Sequence, residues 1–159
     1  MATDIASVKP DAWLRWFGNT LVSIKVGSGE GQDRISLVEH WMPFGDSPPM
    51  HVRRNEDEIF HVLEGRMRFR VDGKDIIAAA GDTVLAPKGI PHSYRAEGKQ
   101  GTRCLTITRG NDFESMLLEC SRPAESRSLP PRSEPTPAMI DELARCCARN
   151  GIDIVGPPL

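Results

Sequence analysis

Between residues 20 and 109, strand-length apolar segments are interrupted again and again by glycine, proline and acidic turns. "LVSIKV" (21–26) runs into the flexible "GSGEGQD". "RISLVEHWM" (34–42) alternates Ile35, Leu37, Glu39 and Trp41 with Ser36, Val38, His40 and Met42. "EIFHVLEG" and "RMRFRVDG" meet at a hairpin-like Glu64–Gly65, and Asp72–Gly73 is the strongest short hairpin signal in the chain. "IIAAAGDTVLAPKG" holds two more short strands around Gly81–Asp82, and "CLTITRG" closes the series. Many short strands at regular spacing predict an all-β fold, a sandwich or barrel of antiparallel strands. No long helices alternate with them, which argues against a doubly wound sheet.

After residue 110 the pattern changes. "NDFESMLLEC" puts Phe113, Met116, Leu117 and Cys120 on one helical stripe, with Asn111 or Asp112 as the cap, so a short helix is expected over 111–120. Residues 121–136 are rich in proline, serine and charge and read as a linker or an arm lying on the surface. A second helix is expected over 137–150: Thr136 caps it, Pro137 suits its first turn, and Asn150–Gly151 stops it. Its apolar face, Met139, Ile140, Leu143, Cys146 and Cys147, needs a partner surface. The predicted organisation is a β-barrel over 1–109. A C-terminal extension over 110–159 packs on that barrel or on a dimer partner.

A chain of 159 residues suits one core with some extra chain. A formal net charge of −2 argues against a nucleic-acid surface, which needs a basic excess. Arg66, Arg68 and Arg70, alternating with Met67, Phe69 and Val71, read as the wet face of a strand. No apolar run is long enough to span a bilayer, so no membrane partner is expected. "MATDIASVKP" lacks the basic and apolar regions of a secretory signal. The four cysteines show no C-x-x-C spacing, and the vicinal pair Cys146–Cys147 makes a poor disulfide. Reduced, buried cysteines and a cytoplasmic setting are the expectation.

The chemistry concentrates in "GDSPPMHVRRNEDEIFHVLEG" (45–65). His51 and Arg53, two apart on a strand, share a face. Glu58 opens the next strand, on the same face as Phe60 and Val62. Glu56 and Asp57, just before it, read as solvated turn residues. His92 arrives much later, after the stiff "PKGIPH" turn. Brought together inside a barrel, two imidazoles and one carboxylate suit non-haem iron and similar divalent metals. His40 and His61 lack such support and read as structural.

These two stretches resemble the paired motifs of the cupin family. Gly45, His51, Glu58 and Gly65 fall in register with G-x5-H-x-H-x4-E-x6-G. Gly81, Pro87, Gly89 and His92 fall in register with G-x5-P-x-G-x2-H-x3-N. The lead-in "SLVEHWMPFG", the "GNDFESML" helix and the closing "NGIDIVGPPL" are similar to bacterial quercetinase-like cupins. The resemblance implies a jelly-roll barrel, a homodimer, and a divalent metal (Fe, Mn, Ni or Zn) held by His51, Glu58 and His92. It further implies dioxygenase-like chemistry on a small organic molecule, with Glu58 as a base. Two positions depart from the family pattern: Arg53 stands where a third histidine is expected, and Ala96 stands where an asparagine is.

Arg53 leaves two readings open. Pointing inward, its charge about 4 Å from a divalent ion is repelled by on the order of 8 kcal/mol at an effective dielectric near 20. It then pairs with Glu58 in place of the metal, and the chain is a metal-free binding module for a small organic or anionic metabolite. Pointing to the mouth, it leaves a three-ligand metal centre and offers a clamp for substrate.

Overall fold

The computed structural model describes residues 13–159, so the stretch read for a secretion signal lies outside the described residues. The strands form in chain order as β1 (Leu14–Phe17), β2 (Thr20–Val26), β3 (Ile35–Met42), β4 (Met50–Arg53), β5 (Glu58–Glu64) and β6 (Arg66–Val71). They continue as β7 (Lys74–Ala79), β8 (Thr83–Ala86), β9 (His92–Ala96) and β10 (Thr102–Arg109). Then come helix α1 (Asp112–Cys120), the two-residue strand β11 (Arg122–Pro123), helix α2 (Pro137–Arg149) and β12 (Ile152–Gly156). All pairings are antiparallel. One sheet runs β11-β1-β2-β3-β10-β5-β8 and the other β12-β4-β9-β6-β7. This is the expected jelly roll, with helices after the barrel.

The alternation read from sequence becomes the inside and outside of the wall. In β3, Ser36, Val38, His40 and Met42 face in and are buried. In β5 the inward set is Glu58, Phe60 and Val62. In β6 Met67 and Phe69 face in while Arg66, Arg68 and Arg70 take the outer face. Phe60, Val62, Met67 and Phe69 pack with Met42 and Val84 between the sheets. Asp72 and Gly73 both carry positive φ, 51° and 73°, the primed turn that matches strand twist. At Gly65 (φ 81°) an added Cβ would lie 2.7 Å from the Gly101 carbonyl oxygen, so the turn admits no side chain.

The C-terminal stretch closes one end of the barrel. Phe113, Met116 and Leu117 of α1, Cys146 and Cys147 of α2, and Ile152 pack on Val22, Ile24 and Val38. Thr136 caps α2 as expected, accepting from the Met139 N–H. Its predicted apolar face is buried only at its later end. Met139 and Ile140 stay exposed, as do all of residues 137–142 in the first turns of α2.

Three strands had no clear sequence signal. β1 precedes the first strand segment read from the sequence, β11 is a two-residue pairing with β1, and β12 joins the second sheet beside β4. Segment 121–136 behaves as a surface arm. Trp16 Nε1 donates to the Ser128 carbonyl at 2.8 Å, and Asn19 exchanges two hydrogen bonds with Ser133. The cysteine expectation needs correction. Cys104 and Cys147 are free and buried, but Cys120 and Cys146 form a disulfide between α1 and α2. Helix packing brings that pair together, and their spacing in the sequence carries no sign of it.

Candidate ligand site in the barrel

Strand pairing sets His51 of β4 directly opposite His92 of β9, with ring centroids 4.4 Å apart. Each ring is oriented by the turn before it. Nδ1 of His51 donates to the Pro49 carbonyl at 2.7 Å, and Nδ1 of His92 to the Ile90 carbonyl at 3.0 Å. A carbonyl only accepts, so both rings carry their proton on Nδ1. For His51 this leaves the Nε2 lone pair. His92 Nε2 meets Glu58 Oε2 at 2.9 Å, so both of its nitrogens face oxygen acceptors. That pairing suits a ring with N–H at both positions.

Arg53 points inward and is 3% exposed. It forks onto Glu58, with Nε donating to Oε2 at 2.5 Å and Nη2 to Oε1 at 2.7 Å. Its guanidinium lies 4.4 Å above the centroid of the Phe113 ring. Nη1 is 3.6 Å from Glu56 Oε2 and makes no hydrogen bond.

Glu56 corrects the sequence reading. It is buried, and its carboxylate accepts from the Asp112 and Phe113 N–H groups at 2.9 and 3.2 Å. It therefore caps α1, whose own cap residue Asn111 makes no side-chain capping bond. The open N–H groups and positive end of a helix favour a carboxylate there. Gly110 leaves room for it, since a Cβ at that position would sit 2.6 Å from Glu56 Oε1. Asp57 is exposed as expected and accepts from the Lys88 N–H.

The electrostatics follow from burial and from this fork. Burial pushes the Glu58 carboxyl up, but the Arg53 guanidinium and the His92 ring outweigh it and hold it well below the usual carboxylate range. Burial, with His92 and Arg53 nearby, lowers His51 to about 4. Burial also lowers His40 to about 4. Burial raises Glu56 despite Arg53.

His40 was read as structural, yet it lines the site. It sits on the inward face of β3, its ring parallel to Phe113 at 5.7 Å between centroids, and its Nε2 has no partner. The 34–42 alternation put it on the Val38 face, and that was the available signal. His61 faces outward onto Thr83 Oγ1 at 2.9 Å, in keeping with a structural role. A cavity of about 60 Å³ opens among His40, His51, Arg53, Glu58 and Tyr94, walled otherwise mainly by apolar side chains of the closing elements. Phe60, Met67 and Phe69 belong to the core.

Ligand atoms of His51, Glu58 and His92 lie within 4.8 Å of one another, a grouping able to hold a metal ion. Their present bonding does not fit one. Glu58 Oε2 already accepts from Arg53 Nε and His92 Nε2, and Oε1 from Arg53 Nη2. A divalent ion would have to displace a fixed positive charge from its only carboxylate ligand in this group.

Residues 37–108 match the family described as Cupin domain. A predicted oxalate decarboxylase from Thermotoga maritima superposes with a TM-score of 0.59 at 20% identity, covering 65% of this chain and 97% of that one. Residues 37–108 form a cupin domain. Among sequence relatives, this cupin is 26% identical over 115 residues to quercetin 2,3-dioxygenase of Bacillus subtilis, covering 72% of the chain and 34% of the relative. It is 32% identical over 66 residues to an oxalate-binding protein of Thermotoga maritima, covering 42% of the chain and 54% of the relative. The chain thus spans between a third and about half of the length of these curated relatives. At 20% identity the structural likeness speaks for the fold alone. Among the described residues no helix is long and apolar enough to cross a membrane.

Proposed function

We propose that this cupin binds a small organic molecule in its barrel without a metal. The observation that carries this reading is the buried fork of Arg53 on Glu58, which occupies both oxygens of the carboxylate a metal would need. The fork supplies the positive charge that an ion supplies elsewhere, and it keeps Glu58 ionised in a buried place. His51 presents a lone pair and Tyr94 an aromatic wall to whatever enters. The oxalate-binding relative, similar over part of the chain, supports a small-molecule role.

A second reading keeps the metal. The His51–Glu58–His92 grouping favours it, and the quercetin dioxygenase relative supplies its chemistry, with a divalent ion as Lewis acid and Glu58 as a base. One experiment separates the two. Protein purified without a metal-affinity tag is analysed for metals, then titrated with iron, nickel, manganese and zinc, alongside Arg53→His. The metal-free reading expects far less than stoichiometric metal in the parent. It also expects binding at least about a hundredfold tighter in the variant, from lost charge repulsion and a gained ligand. Parent and variant binding equally well would show that Arg53 is no obstacle and return the metal reading.

We further propose a homodimer. On the outer face of the larger sheet, Val26, Leu37, Ile107, Ile59 and Leu85 stand side by side across five strands in register. Val26 and Leu85 are exposed, and the row is an apolar stripe with no cover in the single chain. Light scattering at micromolar protein should give twice the chain mass, and Ile107→Lys should halve it.

A further inference from the structure

Two polar atoms on residues lining the barrel cavity are buried without a hydrogen-bond partner: His40 Nε2 and Arg53 Nη1. Both residues pack on the Phe113 ring, which holds them in place from below. Nη1 only donates, so whatever serves it must bring an acceptor. The nearest carboxylate oxygen, Glu56 Oε2, is 3.6 Å away and already accepts from the Phe113 N–H. On the other side of the site, His51 offers a lone pair at Nε2, because its Nδ1 proton is committed to Pro49. The site thus holds a buried donor, an acceptor and one buried ring nitrogen able to act as either.

Charge decides what kind of molecule fits. Arg53 brings one positive charge, and Glu58 and Glu56 bring two negative ones within reach of it. A His92 ring with N–H at both positions brings these four groups to zero, and a neutral ring leaves them at minus one. Neither sum leaves a positive excess for a bound anion. A carboxylate placed against Arg53 would instead face two others in a site with little water to screen them. Arg53 therefore has hydrogen-bonding capacity to spare and no charge to spare. The cavity offers about 60 Å³, and one water needs about 10–15 Å³ of such space, so it admits a few waters or one small organic molecule.

Resting on the metal-free reading above, we infer that the cavity takes a small neutral molecule carrying a carbonyl next to a donor, a carboxamide or hydroxycarbonyl compound. Its carbonyl oxygen accepts from Arg53 Nη1, its N–H or O–H donates to His51 Nε2, and His40 Nε2 completes the cradle. This narrows the sequence-based expectation of an organic or anionic metabolite to the neutral class, and it gives His40 a recognition role.

Acetamide and acetate test it, because they share size and shape and differ in charge. The full chain, first checked for metal content, is titrated with each near pH 7.5 while side-chain signals of His40 and Arg53 are followed by NMR. Acetamide should shift both saturably, and acetate should bind at least about tenfold more weakly. His40→Phe keeps the stack on Phe113 and removes Nε2, and should weaken acetamide about tenfold. Should that variant not fold, His40→Gln retains a polar end and serves instead, and the wild-type pair of titrations needs no variant. Acetate binding as well as acetamide, or neither shifting the two residues in metal-free protein, overturns the neutral-ligand inference and leaves the metal-free reading standing. A stoichiometric metal overturns both.

Discussion

Two arginine–carboxylate forks in this cupin have the same spacing and opposite surroundings. Arg53 reaches Glu58 five residues on, and Arg70 reaches Asp75 five residues on. Both use Nε and Nη2, at 2.5 and 2.7 Å inside the barrel and at 2.6 and 3.0 Å on its outer face. The Arg53 and Glu58 side chains are 4% and 3% exposed, whereas those of Arg70 and Asp75 are 39% and 43% exposed. Water solvates either outer partner if the other is lost. Inside, each partner is the other's main source of charge compensation. Like hydrogen bonds should therefore differ widely in what their loss costs.

The largest effect should come from breaking the inner fork on one side. Glu58→Leu leaves the Arg53 guanidinium buried with only Glu56 nearby, and should cost about 3–5 kcal/mol of unfolding free energy in urea titration. Replacing both partners, Arg53→Met with Glu58→Leu, should recover most of that loss, because the desolvation cost goes with the charges. A double variant as unstable as the single one would mean that the fork holds the barrel by more than its own charges.

Acid should act on the inner site next. An unfolded histidine titrates near 6.5, while His40 and His51 in the fold titrate only near 4. Between those values the unfolded chain takes up protons that the fold refuses, so stability falls as pH falls through this window. At pH 5 the loss should be about 2 kcal/mol for each of the two histidines, relative to pH 7.5. Glu58, held low, adds its own loss only as pH drops below its unfolded value of 4.5. The outer fork adds nothing in the histidine window, since Asp75 is also held low and its stabilisation fades only below its ordinary value of 3.8. His40→Phe should remove about half of the loss at pH 5. An unchanged loss would place the responsible protons elsewhere.

These contrasts also mark what could be read in advance. Period-two alternation told inward from outward residues in β3, β5 and β6, and so gave the core. The spacing of His51, Glu58 and His92 with their glycines located the site. The direction of Arg53 could not be read, because a strand face allows a long side chain to turn inward or reach the mouth. Glu56 looked like a turn residue because its partners, the Asp112 and Phe113 N–H groups, lie more than fifty residues away. His40 was passed over because it stands outside both motifs, and its role rests on what surrounds it. β11 and β12 are short pieces whose partners are distant strands, so local pattern carried little trace of them.

The smallest effect should be at the outer fork. Arg70→Ala removes the same two hydrogen bonds that Glu58→Leu removes inside, yet both groups stand in water, and an exposed pair gains little over its hydrated alternatives. The melting temperature should stay within about a degree of the parent. Arg68, 3.7 Å from Asp75, remains to hold that carboxylate. Salt sharpens the contrast, because at about 1 M the screening length falls to about 3 Å for charges in solvent and buried charges are screened much less. Parent and Arg70→Ala should then be indistinguishable, while the deficit of Glu58→Leu persists. If Arg70→Ala instead cost several degrees in high salt, exposure would not be what separates the two forks. The value assigned to the Arg53–Glu58 pair would then have to rest on something other than burial.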